Sequence, residues 1–250
     1  VHGVAMGVVH ISYTLGSGCV ASWVMTVDPL APIVGRDSVC LGSDRWLTNI
    51  VGGGVWSSSV PAVASILFDS GKVSGHLAGI TSITYLLPTG CRSTVQFTVI
   101  AYPGGITGTK KACPGTNTTL FNTTGGGAWT SGNPGIATVN INTGVVTGVY
   151  ADTVDITYTI LPGCAVYTRV TINPLPAPVT GVSIMCPNTK DSVHDATVDG
   201  LWSSSPSTIA KVIDTTGEVY ALAQGVSTIK YTLPTGCFRT KTVTVQPLPI

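Results

Sequence analysis

Seven cysteines are the residues of this sequence whose type and spacing could form covalent bonds. Three of them occupy one position of a 73-residue repeat: Cys40, Cys113 and Cys186. Four occupy a second position, at spacings of 72, 73 and 73 residues: Cys19, Cys91, Cys164 and Cys237. Because two thiols recur in each unit, the sequence predicts a series of disulfide bonds and therefore an oxidising, extracellular location.

Two pairing schemes fit this spacing. We favour pairing within each repeat, because small secreted domains are usually crosslinked internally and closing such a loop stabilises a fold by roughly 4 kcal/mol. This scheme leaves Cys19 unpaired or bonded outside the chain, and joins Cys40 to Cys91, Cys113 to Cys164 and Cys186 to Cys237. The alternative crosses the repeat junctions, leaves Cys237 unpaired, and joins Cys19 to Cys40, Cys91 to Cys113 and Cys164 to Cys186.

Other groups that carry chemistry in enzymes do not recur with the repeat. The histidines have no shared position and no recurring acidic or serine partner: His2, His10, His76 and His194. The acids are scattered, without the spacing of a glycosidase pair or a calcium loop: Asp37, Asp44, Asp69, Asp152, Asp191 and Asp214. The cysteines form no Cys-x-x-Cys motif. The sequence therefore predicts no catalytic residue, no metal site and no cofactor.

Composition restricts the partners. Charged residues make up 9% of the chain, against about 25% in an ordinary soluble protein. With 12 basic and 11 acidic residues, the chain has no field that would attract nucleic acid. Although the composition is 44% hydrophobic, no uninterrupted apolar stretch reaches the roughly 18 to 20 residues of a membrane helix. We therefore expect neither nucleic-acid binding nor membrane insertion in this segment.

The repeat predicts the domain organisation. Its boundaries fall at short proline-containing stretches, which predict stiff connections and a rod of domains. Residues 1–28 match only the last third of a unit, so we expect the sequence to begin inside a domain. Complete units are expected at residues 29–101 (the first repeat), 102–174 (the second repeat) and 175–250 (the third repeat).

Period-two alternation predicts β-strands throughout. Ile156, Tyr158 and Ile160 point to one side of a strand, and threonines point to the other. Trp56, Trp129 and Trp202 keep the 73-residue period, which predicts a core position. The glycine runs before Trp56 and Trp129, at residues 52–54 and 125–127, are expected to form turns. About seven short strands per unit predict an all-β protein of tandem immunoglobulin-like β-sandwich domains.

The residues of each unit also resemble a known family. The runs Val55-Trp56-Ser57-Ser58-Ser59 and Ser82-Ile83-Thr84-Tyr85, and their equivalents at Trp202-Ser203-Ser204-Ser205 and Thr228-Ile229-Lys230-Tyr231, are similar to group 2 bacterial Ig-like domains. Such domains occur in tandem in surface adhesins and large secreted proteins of the Bacteroidetes type. The resemblance implies an extracellular or cell-surface location. The paired cysteines depart from the plainest members of this family.

Several positions are candidates for glycosylation. Asn117 and Asn122 begin acceptor sequons in form, which matter only in a host that uses them. The second group follows an aspartate and precedes an apolar residue or threonine, and its triplets look like the acceptor of Bacteroidetes O-glycosylation: Ser38, Thr153, Ser192 and Thr215. Triplets of this kind also arise by chance in a threonine-rich chain.

Two functions of different class fit these features. The first is a non-catalytic structural role, in which the repeats form a cell-surface stalk or filament with further repeats or other copies of the chain. The second is an adhesin that recognises glycan or a host surface protein through Trp23 and Trp46, which do not recur with the repeat. An ice-binding surface of outward threonines is a third reading, for which the Thr-x-Thr ladders are too short. An enzyme is the least expected function.

Overall fold

The computed structural model describes residues 3–248, in which 25 strands and no helix occur. His2 lies outside this range. The predicted all-β, immunoglobulin-like fold is confirmed. In chain order the strands are β1 (Gly7–Thr14), β2 (Val20–Val27), β3 (Ser38–Cys40), β4 (Asp44–Trp46), β5 (Val55–Ser58), β6 (Ala64–Ile66), β7 (Lys72–Gly75), β8 (Gly79–Leu86), β9 (Arg92–Ile100), β10 (Thr107–Gly108), β11 (Lys111–Ala112), β12 (Asn117–Phe121), β13 (Ala128–Ser131), β14 (Ala137–Val139), β15 (Val145–Gly148), β16 (Asp152–Ile160), β17 (Cys164–Ile172), β18 (Thr180–Gly181), β19 (Ile184–Met185), β20 (Lys190–His194), β21 (Leu201–Ser205), β22 (Ala210–Val212), β23 (Glu218–Ala221), β24 (Gly225–Thr232) and β25 (Phe238–Val245).

Each complete repeat forms two sheets. In the first repeat a four-stranded sheet, β3-β9-β8-β5, packs against a three-stranded sheet, β4-β7-β6. The second repeat has β11-β17-β16-β13 and β10-β12-β15-β14, and the third has β19-β25-β24-β21 and β18-β20-β23-β22. In the first repeat an isolated bridge between Val34 and Thr48 takes the place of the short edge strand of the others. β1 and β2 form a separate antiparallel hairpin.

In every repeat, the short strand at the first cysteine runs parallel to the last strand of the repeat. β3 pairs with β9 so that Cys40 lies beside Ile100, and β11 pairs with β17 in the same direction. β19 and β25 repeat the arrangement. We call the end of a repeat at which its last strand finishes the exit end, and the opposite end the entry end. The parallel pairing therefore places the first cysteine of each repeat at the exit end.

The cores consist of the inward residues of the alternating strands. Ile83 and Phe97 of the first repeat are fully buried between its sheets, and Ile229 and Val243 are their equivalents in the third. The predicted core position of the repeated tryptophans is confirmed, because each is at most 6% exposed. Burying a side chain of this size stabilises the fold by about 1.5 to 3 kcal/mol, so each sandwich depends on a small number of large residues.

Contacts between Cα positions divide the chain into two compact units. The first contains Val1–Tyr102 and Ile160–Cys164, and the second contains Pro103–Thr159 and Ala165–Ile250. The short segment Ile160–Cys164 is the turn between β16 and β17, so the sequence of the second repeat contributes to both units. The boundaries at residues 28, 101 and 174, and the arrangement as a rod, stay predictions.

Candidate functional site

Two disulfides form in the structure, and each joins consecutive repeats. Cys40 bonds Cys164, and both belong to the first compact unit. Cys113 bonds Cys237, and both belong to the second unit. The Cα–Cα distance is 5.6 Å in both, within the usual range for a disulfide, and both bonds span 124 residues of sequence. The same bond is therefore built twice, one repeat apart.

The favoured pairing within each repeat is wrong. Cys40 lies beside Ile100 at the exit end of β9, whereas Cys91 directly precedes Arg92 at the other end of the same strand. Nine residues of extended strand separate these ends by about 30 Å, and a disulfide requires its Cα atoms within about 7 Å. The predicted bonds from Cys113 to Cys164 and from Cys186 to Cys237 fail for the same reason.

The alternative across the junctions is wrong as well. It would bond Cys91 to Cys113, but Cys113 follows Ala112 at the exit end of the second repeat, one full strand length beyond the entry end. The observed bond instead uses the exit end of one repeat and the entry end of the next. Cys164 begins β17, so it lies at the entry end of the second repeat. Of the three pairing schemes, only this one bonds the exit end of a repeat to the entry end of the repeat that follows it in the sequence.

A side-chain contact accompanies the first bond. The guanidinium of Arg36 donates a hydrogen bond to the carbonyl of Pro162, at 3.3 Å. Pro162 lies in the turn that carries Cys164, and Arg36 shortly precedes β3. The contact is exposed, so it contributes little energy by itself. It orients the turn towards the strand that carries Cys40.

Burial differs between the two ends of each bond. Cys164 and Cys237 are completely buried, whereas Cys40 and Cys113 are partly exposed. A thiol reductant needs to reach only one sulfur atom to cleave a disulfide, so in the folded protein both bonds are open to attack only through the partly exposed Cys40 and Cys113. Three cysteines are free in the described part of the chain: Cys19, Cys91 and Cys186.

The free cysteines follow the same spacing. A partner 124 residues before Cys91 or after Cys186 would lie outside the 250 residues of the sequence. Cys19 and Cys186 are exposed, and Cys91 is partly buried. Within this sequence, none of the three has a cysteine at the separation of 124 residues that the two observed bonds share.

In each of the three complete repeats, a tryptophan, a tyrosine and a glycine hold the hairpin that carries the second-position cysteine. Trp56 packs on Tyr85 with ring centroids 4.6 Å apart, and the Tyr85 hydroxyl donates to the Val51 carbonyl at 2.7 Å. The same hydroxyl accepts from the N–H of Gly54 at 2.9 Å, where a Cβ atom would lie 2.6 Å from the tyrosine ring. Tyr158 and Tyr231 repeat these contacts with Gly127 and Gly200.

Sequence reasoning missed this hydrogen bond. The sequence predicts the glycine runs only as turns. In the structure, the N–H of the glycine two residues before each repeated tryptophan donates to the buried tyrosine hydroxyl. The fixed six-residue spacing from each tyrosine to its cysteine was the available signal.

The two tryptophans proposed as a binding surface differ in kind. Trp23 lies opposite Ile11 in the β1–β2 hairpin, at the position where Val95 packs against the core of the first repeat. Trp23 is 74% exposed, because no described residue covers this face of the hairpin. Trp46 lies on β4 of a complete sandwich and is 58% exposed on its outer surface. The two residues belong to different sheets. Of the two, only Trp46 lies on the outer surface of a complete sandwich, where a partner could bind it.

The candidate glycosylation residues lie in different environments. Asn122 is partly buried, donates to the Gly104 carbonyl and accepts from the N–H of Thr124, so its amide is already engaged. Asn117 is exposed and accepts one hydrogen bond from Thr147. The four hydroxyl candidates divide into the exposed Thr153 and Thr215 and the partly buried Ser38 and Ser192. Their modification stays a prediction.

Charged pairs occupy equivalent positions on β4 and β7 of the first repeat and on β20 and β23 of the third. Lys72 lies 2.6 Å from Asp44 in the first repeat, and Lys190 lies 2.9 Å from Glu218 in the third, with the signs exchanged. The hydrogen bond from Lys72, with a second from Ser74, lowers the pKa of Asp44. The hydrogen bond from Lys190 likewise lowers the pKa of Glu218. These pairs are surface contacts.

Within residues 3–248, no group of three or more His, Cys, Asp or Glu residues could hold a metal ion. Of the histidines in this range, His10 and His194 are exposed, and His76 shares a hydrogen bond with Ser65 at 2.7 Å. No helix in the described range has the length and apolarity to cross a membrane.

Comparisons with known proteins find only low similarity. No protein-family profile and no curated protein matches the chain. A C-terminal intimin fragment in complex with the intimin-binding domain of the translocated intimin receptor is 14% identical, with a TM-score of 0.38 over 58% of this chain and 64% of the fragment. Invasin, a bacterial integrin-binding protein, is also 14% identical, with a TM-score of 0.38 over 96% of this chain and 65% of invasin.

Domains 4 and 5 of the surface-layer protein SbsC are 16% identical, with a TM-score of 0.29 over 60% of this chain and 100% of theirs. The chain spans less than two thirds of the length of the intimin fragment and of invasin. Similarity at this level carries no conclusion about what this protein binds or does.

Proposed function

We propose that this chain is a non-catalytic structural segment of an extracellular protein, a cell-surface stalk or filament built from group 2 bacterial Ig-like repeats of the Bacteroidetes type. The observation that carries the proposal is the pair of disulfides between consecutive repeats. A covalent link between successive domains transmits load along the chain, which an independently folding binding module does not need. Disulfides of this kind persist in oxidising surroundings, which supports the extracellular location.

The surface composition supports assembly. Few charges lie on the sandwiches, and net charge is what normally keeps proteins apart in solution. The β1–β2 hairpin also exposes an apolar face, and strands supplied by a further repeat or another copy would cover it. The partners in this proposal are thus repeats of the same kind.

Immunogold labelling of intact source cells tests this function. Antibodies against the purified chain should label the surface or the fibres of intact cells, and peptide mapping after alkylation should recover Cys40 bonded to Cys164. A second antibody against a cytoplasmic protein is the control for cell integrity. Labelling that appears only after permeabilisation, or free thiols at these positions, would overturn the proposal.

Recognition of glycan or a host surface protein is the second candidate. The exposure of Trp46 on a complete sandwich favours it, because aromatic side chains in water commonly mark binding surfaces. A glycan and matrix-protein array should then show saturable binding that Trp46→Ala abolishes. Tyr167→Ala, at an aromatic position that is 72% exposed, is the control. Absence of saturable binding would exclude recognition of the ligands on the array.

A further inference from the structure

The two disulfides enclose overlapping loops. The loop closed by Cys40 and Cys164 contains Cys113, and the loop closed by Cys113 and Cys237 contains Cys164. Neither loop is nested inside the other, and neither is confined to one repeat. Three chain segments therefore connect one disulfide to the other: an inner segment, residues 113–164, and two outer segments, residues 40–113 and 164–237.

The inner segment is the shortest of the three. When the chain is pulled from its ends and the sandwiches unfold, the inner segment becomes taut first, while the longer outer segments remain slack. The covalent path then runs from the N-terminus to Cys40, across to Cys164, back to Cys113, across to Cys237 and on to the C-terminus. This path uses about 100 peptide units and extends to about 360 Å, whereas the whole chain without disulfides would reach about 870 Å.

Cleaving one disulfide lengthens the stretched chain only slightly. If either disulfide is cleaved, one outer segment replaces the inner segment in the path, which lengthens it by about 22 residues or about 77 Å. The remaining bond still holds back its own loop of 124 residues. Pairing within each repeat would behave differently, because every cleavage would release an equal loop of 51 residues.

We propose that the overlapping disulfides limit the extension of the chain under tension, and that the second bond keeps holding the chain after the first has been cleaved. This role rests on the proposed structural function, since only a protein under tension needs it. Cys164 and Cys237 are completely buried, so in the folded protein a reductant can approach each bond from one side only, at Cys40 or Cys113.

Single-molecule force spectroscopy tests the limiter on the full chain, held by enzymatically attached handles at its ends. A dithiol reductant cleaves each bond when its thiolate attacks one sulfur and releases the other as a thiolate. Its second thiol then displaces the protein sulfur and forms a cyclic disulfide, so two electrons pass to the protein per bond. At constant force, we expect two unequal steps, of about 77 Å and then about 430 Å.

Variants define each step. A Cys113→Ser/Cys237→Ser chain should lose the short step and keep a single long one. A Cys19→Ser/Cys91→Ser/Cys186→Ser chain, in which only free cysteines are replaced, should keep both steps. If the first variant fails to fold, the unequal steps of the unmodified chain still decide.

Steps of equal length, about 180 Å each, would overturn the limiter. An extension that is the same with and without the reductant would overturn it as well. Surface labelling of cells is measured separately. A failed limiter therefore leaves the proposed location standing, and intracellular labelling leaves the step sizes unaffected.

Discussion

The hairpin of β1 and β2 and the hairpin of β8 and β9 have the same sequence pattern and the same antiparallel pairing, but only the second is covered. Tyr13 is 70% exposed, whereas its equivalent Tyr85 is 6% exposed. Ile11 is 38% exposed, and its equivalent Ile83 is fully buried. The alternation of the chain is sufficient to set strand pairing. Burial requires the tryptophan strand and the facing sheet, which come from earlier in the repeat.

Shortening the central isoleucine should give the largest difference between the two hairpins. Ile83→Ala removes buried methyl groups between two sheets and should cost about 3 kcal/mol, which corresponds to roughly a hundredfold loss of amide protection. Ile11→Ala, the matched change in the open hairpin, should cost less than about 0.5 kcal/mol. Hydrogen exchange followed by mass spectrometry, read on peptides from residues 7–27 and 79–100, measures both. Equal effects would show that β1 and β2 are covered in solution.

Removing the tyrosine hydroxyl should have an intermediate effect. Tyr85→Phe leaves the Val51 carbonyl and the Gly54 N–H without their partner and should cost about 1 to 3 kcal/mol. Tyr13→Phe should leave stability unchanged within about 0.5 kcal/mol, because the Tyr13 side chain is exposed. Hydrogen exchange followed by mass spectrometry, read on the same two peptides, measures both changes. A destabilised Tyr13→Phe chain would contradict the contrast between the two hairpins.

Much of this fold follows from the sequence, because its information is local and repeated. The alternation at Ile156 and Tyr158 predicts both a strand and its buried face, and the 73-residue period of Trp56 predicts a core position. The disulfides could not be predicted in the same way. Spacing along the chain does not reveal at which end of a sandwich a cysteine lies.

That information resides in one short strand. β3 has three residues, and its parallel pairing with β9 sends Cys40 to the exit end. An antiparallel hairpin partner would have brought it to the end where Cys91 lies. So brief a strand has no periodicity from which its direction could be inferred. The pairing scheme therefore depended on the usual behaviour of small secreted domains, and this protein departs from it.

Lowering the pH should give the smallest effect on stability. This effect arises in the sheet β4-β7-β6, which faces β8 and β9, whereas no such sheet faces β1 and β2 in the described part of the chain. The Lys72 and Ser74 hydrogen bonds lower the pKa of Asp44, so its ionised form favours the folded state. This contribution is complete above the ordinary aspartate pKa of about 3.9 and is lost as the pH falls through the lower folded value. We therefore expect a slight loss of stability of the first sandwich below about pH 4. The same should hold for the third sandwich, where the pKa of Glu218 is lowered.

The second sandwich provides the internal control for that acid effect, because Asn117 and Val145 replace the charged pair. Asp44→Asn should remove the pH-dependent part of the stability of the first sandwich. A double exchange, Asp44→Lys with Lys72→Glu, should restore it, because the third repeat already has this order of charges at Lys190 and Glu218. Hydrogen exchange of peptides from β4 and β7 between pH 3 and 6, corrected for intrinsic rates, measures the change. An equal acid response in β12 and β15 would show that the ion pairs are not its source.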